Sequence, residues 1–287
     1  MADMKHVLAA VDLSPMSRRV ADRGRILAEA HQTELRLVHV AEPPDVPLPD
    51  EMTERIHLYR QSQAEDLLTW INARARCQAD LEVRSGNMAI ELAKLSRKAG
   101  LVITGTSSVD QTRIGPRTTR LARKLHASVL SVRRLLRSPY RRAIAAVDLS
   151  EASTSAVDLA LLLATGADTV TAVASLPTDD ETMLSDAGVM PERLDVLRRE
   201  RLSLLEERMQ KFVAGWGGLV TPVVLDGPPP QTVAEFARIS NADLVVAASR
   251  GAGNSNMVLL GSNAEALMRT VPCDVAIARV PGRFYRP

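Results

Sequence analysis

The stretch Leu8-Ala9-Ala10-Val11-Asp12-Leu13-Ser14 returns as Ile144-Ala145-Ala146-Val147-Asp148-Leu149-Ser150, an offset of 136 residues from Asp12 to Asp148. That period is too long for a solenoid unit and suits a duplicated domain. Gly115 and Gly261 pair in the same way at a slightly larger offset, and Arg133–Tyr140 is echoed by Arg279–Tyr285. The duplication fixes the main constraint: one fold must be built twice within 287 residues. In each copy short apolar runs alternate with amphipathic segments. Alternation of this kind predicts α/β units, with parallel sheets and right-handed crossovers.

Copy one predicts strands at His6–Val11, Glu34–Val40, Leu81–Arg84, Leu101–Gly105 and Val129–Val132. Helices are expected from Ser14, as N-cap ahead of Pro15, to about His31, then over Glu51–Arg76, Met88–Lys98 and Arg117–His126. The proline-rich stretch Glu42–Pro49 is a loop. Copy two predicts strands near Ala143–Val147, Thr169–Ala174, Val220–Leu225, Leu244–Ala248 and Val275–Ala278. Its helices fall near Ala152–Thr165, Pro191–Val213, Thr232–Ile239 and Asn263–Thr270, and Leu135–Arg142 is the linker. Hydrophobic residues make up 46% of the chain and aromatics 3%, so the cores are expected to be aliphatic. A formal charge of +2 without long charge runs gives no sign of a nucleic-acid partner. Neither a signal peptide nor a membrane-length apolar stretch is read, so the expected location is cytoplasmic.

The region most suited to ligand chemistry is Asp243–Gly251, a loop, and then Gly261-Ser262-Asn263-Ala264-Glu265. A buried strand here delivers a small-residue loop to a helix N-terminus, where free N–H groups and the helix dipole favour a phosphate. Ser262-Asn263-Ala264-Glu265 also reads as a capping box, with Ser262 at the N-cap. The histidines do not fall at metal-ligand spacings, and neither a G-x-S-x-G elbow nor a Walker P-loop is present.

The spacing Ala248-x-x-Gly251, nine residues, Gly261-Ser262 resembles the nucleotide loop G-x-x-G-x9-G-[S/T] of the universal stress protein family. The likeness continues through Ala264-Glu265, Leu267, Arg269 and Pro272-Cys273-x-Val275, with Ala248 standing in for the first glycine. The resemblance implies two adenine nucleotide alpha hydrolase-like domains, expected at residues 1–136 and 141–287. Each would be a five-stranded parallel sheet of order 3-2-1-4-5 with helices on both faces. It implies a stress-response regulator whose second copy binds ATP, or ADP or AMP, with Mg²⁺ on the phosphates, and which signals to a protein partner. The implied site comprises Val147, Asp148, Ala248, Ser249, Arg250, Gly251, Gly261, Ser262 and Asn263, with Asp148 on the adenosine half. No catalytic residue is assigned; hydrolysis would be slow at most, for want of a placed general base. In copy one the loop is shorter, Ser108 replaces a glycine and Pro116 replaces the serine, so that copy is expected not to bind ATP in this manner. The family's pairing implies either a monomer with an internal pseudo-dimer or a homodimer. The alternative reading is a scaffold of the same tandem fold that no longer binds nucleotide.

Overall fold

A computed structural model describes residues 6–43, 46, 48–106, 116–133, 138–249 and 260–279. The chain divides into two compact units, Met1–Pro139 and Tyr140–Pro287.

Unit 1 contains β1 (His6–Val11), α1 (Ser17–Ala30), β2 (Glu34–Ala41), α2 (Asp50–Asn72), β3 (Ala79–Ser85), α3 (Met88–Ser96), β4 (Leu101–Gly105), α4 (Pro116–Lys124) and β5 (Ser128–Val132). All its strand pairs are parallel, in the order β3-β2-β1-β4-β5. Unit 2 contains β6 (Ala143–Ala146), α5 (Glu151–Leu163), β7 (Val170–Leu176), α6 (Asp179–Asp186), α7 (Pro191–Val213), the 3₁₀ turn Ala214–Trp216, β8 (Val220–Asp226), α8 (Pro229–Ile239), β9 (Leu244–Ala248), α9 (Ser262–Thr270) and β10 (Asp274–Ala278). Its sheet runs β8-β7-β6-β9-β10, again parallel. Numbered within each unit, both sheets have the expected order 3-2-1-4-5.

The sequence dictates this architecture through its central strands. Leu101, Val102 and Ile103, like Leu244, Val245 and Val246, are wholly buried. A strand apolar on both faces must be covered on both faces, which an alternating βα chain achieves with a parallel sheet between helices. The outermost strands β3 and β8 are only half-buried. Their composition suits an edge: β3 carries Asp80, Glu82 and Arg84, and β8 carries Pro222, a residue that sheets tolerate at an edge.

Several boundaries differ from the sequence expectation, each for a local reason. The first helix begins at Ser17, not at Pro15, because Ser14 and Pro15 are used in a turn. The Asp12 carboxylate accepts from Ser14 N and Ser17 Oγ, and Leu13 adopts φ 61°. The same turn recurs in unit 2, with Leu149 at φ 60°. Helix α6 departs from the sequence expectation; it inserts between β7 and α7, whereas no element stands between β2 and α2 among the described residues of unit 1.

The entry of the chain into unit 2 is tied by buried acids. Asp243 accepts Arg141 N at 2.8 Å and Arg142 N at 3.0 Å through its two oxygens. Tyr140 Oη donates to Asp274 Oδ2 at 2.6 Å, and both residues are 0% exposed. Removing the hydroxyl takes a donor from a buried carboxylate. Tyr140→Phe is therefore expected to lower stability by about 1–3 kcal/mol, measured as a lower denaturation midpoint with unchanged m-value.

Candidate functional site

In an open sheet of this order the crevice forms where the chain reverses direction between its first and fourth strands, outside their carboxyl ends. Unit 2 has a cavity of ≈ 760 Å³ at that place. Its floor is the strand ends Ala146–Asp148, Val173–Leu176 and Ala247–Ala248. One wall is the start of α9, at Gly261, Ser262 and Asn263; another is the strip of α7 bearing Arg201, Leu204, Leu205 and Arg208.

Asp148 is exposed at the end of β6 and lines the cavity. Its Oδ1 accepts from Ser150 N at 3.1 Å, Ser150 Oγ at 2.5 Å and Ser153 Oγ at 2.6 Å. The carboxylate therefore closes the turn that leads into α5. Ser150 occupies the N-cap position of α5, but its hydroxyl turns back to Asp148 and makes no capping bond to the helix. Asp12 closes the equivalent turn in unit 1, so this contact belongs to the fold of both copies. The orientation of Asp148 toward the cavity is fixed as a consequence.

The two ends of the nucleotide-loop motif are pinned together. Ser249 N donates to Ala278 O at 2.9 Å, and Gly261 N donates to Ser249 O at 3.0 Å. The start of α9 is thereby held at the end of β9. The capping box is not formed as the sequence suggested. Gly261 is the N-cap, Ser262 is the first helical residue, and Glu265 pairs with Arg269 instead of reaching back. The hydroxyl of Ser262 is thus not consumed in capping, and the helix opens on the cavity with exposed Ser262 and Asn263.

Among the other expected site residues, Val147 is buried, lines the cavity and donates its N–H to Val173 O. Ala248 lines the cavity, whereas the Ser249 side chain is buried and away from the described lining. Arg250 and Gly251 lie outside the described residues, as do Ser107–Gly115 of the corresponding loop in unit 1.

Ala248 departs from the glycine of the motif, and the two units together give the physical account. Strand register makes Gly105 its counterpart in unit 1. A Cβ at Gly105 would lie 3.2 Å from Val20 Cγ2 and 3.5 Å from Met16 Cβ, so this position faces the first helix of the unit. The positions equivalent to Met16 and Val20 are Ala152 and Ala156 in unit 2. A methyl at residue 248 is thus matched by smaller partners on α5.

Sequence reasoning missed the α7 strip and the end of β7, including Ser175, Leu176 and Pro177. The spacing 201, 204, 205, 208 is one helical face and was the available signal. The crevice of unit 1 differs in size. Among the described residues it measures ≈ 60 Å³, with Met16, Val40 and Met88 in its lining. The counterparts of Val40 and Met88 in unit 2 are the smaller Ser175 and Pro229.

Two substitutions test the size exchange at the strand ends. Gly105→Ala is expected to cost about 1–3 kcal/mol through overpacking, and less in a Val20→Ala background. Ala248→Gly should cost only about 0.5–1 kcal/mol, the conformational penalty of glycine. Denaturant titrations of the four variants read both effects.

Comparison with known proteins places this geometry in a family. A model of the universal stress protein family matches residues 4–133 and again residues 139–279. A universal stress protein from Archaeoglobus fulgidus aligns over 96% of this chain and 96% of its own, with TM-score 0.70 and 19% identity. PA1789 of Pseudomonas aeruginosa aligns over 96% of this chain and 92% of its own, with TM-score 0.64 and 16% identity. At those identities the likeness is one of fold. Universal stress protein MJ0531 of Methanocaldococcus jannaschii is 30% identical over 87 residues, which is 30% of this chain and 51% of that relative. The chain thus spans about half the length of that curated relative. With one family match in each structural unit and the same sheet order in both, the chain belongs to the universal stress protein family as a tandem of two such domains.

Proposed function

We propose that unit 2 binds an adenine nucleotide, ATP or its di- or monophosphate, and that the protein is a stress-response regulator whose surface depends on that ligand. The observation that carries this reading is the cavity of ≈ 760 Å³ at the topological switch point, open to the N-terminus of α9. The phosphates fit the start of that helix. Ser262, left unused by capping, supplies a hydroxyl, and the first N–H groups of the helix supply the dipole's positive end. Asp148, between this end and the α7 wall, suits ribose hydroxyls as an acceptor. Gly251 and Arg250 are proposed to continue the phosphate cradle.

Mg²⁺ is proposed only as a companion of the nucleotide's phosphates. The described residues contain no group of three or more His, Cys, Asp or Glu side chains arranged to hold a metal ion, so its ligands would come chiefly from the nucleotide. Its role there would be to neutralise phosphate charge. Unit 1 is proposed not to hold a nucleotide, since its described crevice is ≈ 60 Å³ and lined by methionine and valine side chains. Among the described residues no helix is long and apolar enough to cross a membrane.

Ser262→Asp separates binding from folding. An acid in the first turn of α9 favours the helix dipole, so the melting temperature should hold or rise. The same charge repels phosphate. Affinity for Mg-ATP is expected to fall at least about tenfold while adenosine binding is retained, as read by isothermal titration calorimetry. Unchanged Mg-ATP affinity would remove the phosphates from this helix end.

A further inference from the structure

A nucleobase is flat, and taking it out of water requires cover on its faces. The cavity of unit 2 has an apolar end suited to this, formed by Val173, Leu176 and Val233 beneath Leu204 and Leu205 of α7. Among the described residues no aromatic side chain lines it. The planar groups available to stack on a base are therefore the two guanidiniums of the α7 wall. Arg201 is engaged: its Nη1 is shared between the Asp180 oxygens at 2.9 and 3.1 Å, which ties α6 to α7. Arg208, two helical turns on, is exposed and has no ion pair with any described carboxylate.

Sheet topology sets which part of a nucleotide reaches this wall. Helix α7 packs on β7 and β8, whereas α9 packs on β9 and β10. Strand β6 lies between β7 and β9. The α7 wall is thus separated from the phosphate end by about two strand spacings, roughly 10 Å. A nucleotide with its phosphates at Ser262 and its ribose near Asp148 places its base on the β7 side, under α7.

We propose that Arg208 is a ligand-contacting residue that lays its guanidinium plane over the base of the nucleotide bound in unit 2. This rests on the nucleotide reading of the cavity given above. The guanidinium is planar, weakly hydrated and always charged, which suits stacking on an aromatic face within a cavity lined by apolar side chains. Lysine carries the charge without the plane. Arg208 is exposed and makes no hydrogen bond or ion pair with a described residue, so moving it over a ligand breaks none of those.

The test compares full-length wild type, Arg208→Ala and Arg208→Lys by calorimetric titration with adenosine and separately with Mg-ATP, with thermal melts of each. The expected result is a loss of about fivefold in affinity for both ligands in Arg208→Ala, not restored by lysine. Loss of Mg-ATP affinity alone, rescued by lysine, would place the guanidinium on phosphate and overturn the proposal. Unchanged adenosine affinity in Arg208→Ala would overturn it as well. Wild type that binds neither ligand would overturn the nucleotide reading itself, and the proposal with it.

Discussion

Burial of the central strands on both faces is the constraint from which the rest of each domain follows. Leu101–Ile103 and Leu244–Val246 have no exposed side to offer water, so helices must cover the sheet above and below. With parallel strands and right-handed crossovers, one chain covers both faces only by reversing its direction of winding. The reversal falls beside the first strand in each unit and leaves a crevice at the carboxyl ends. The Asp-Leu-Ser turn stands at the lip of that crevice in both copies. Its backbone is costly, with leucine held at positive φ, and the aspartate's hydrogen bonds to the following turn keep it in place.

The two copies retain this scaffold and differ in what fills the crevice. Strand order, the strained leucine, the carboxylate-closed turn and the glycine after the third strand are common to both. Gly86 and Gly227 have φ 128° and 125°, and their N–H groups donate to Ala41 O and Leu176 O respectively. The exchange of Met16, Val20, Val40 and Met88 for Ala152, Ala156, Ser175 and Pro229 leaves those features intact. Smaller side chains at these positions accompany the larger of the two described crevices. A protein interior is dense enough that such exchanges either fill a void or create one.

Most of the architecture was legible in the sequence because the repeat and the unbroken apolar runs are strong, redundant signals. The parts that were not legible depend on tertiary context. Helix α6 lies in a polar stretch without apolar periodicity, and its Asp180 and Glu181 find their partners Arg201 and Arg198 only once α7 is in place. The N-cap of α9 shifted by one residue because a backbone bond from Gly261 to Ser249 fixes where the helix begins. The arginines of α7 were visible as one helical face, but periodicity says which residues share a face and not that the face borders a cavity. The family resemblance pointed to Ser262 and Asp148, and both line the cavity; Arg250 and Gly251 lie outside the described residues.

In this duplicated fold the crevice of unit 2 is proposed to admit a nucleotide and the smaller described crevice of unit 1 to exclude one. Isothermal titration of the nucleotide-stripped full chain with Mg-ATP measures this most directly. The account predicts saturation at one nucleotide per chain. Two sites per chain would show that unit 1 binds despite its smaller crevice, and no binding up to about millimolar ligand, where a site of only ~4 kcal/mol would still register, would contradict the nucleotide function of unit 2.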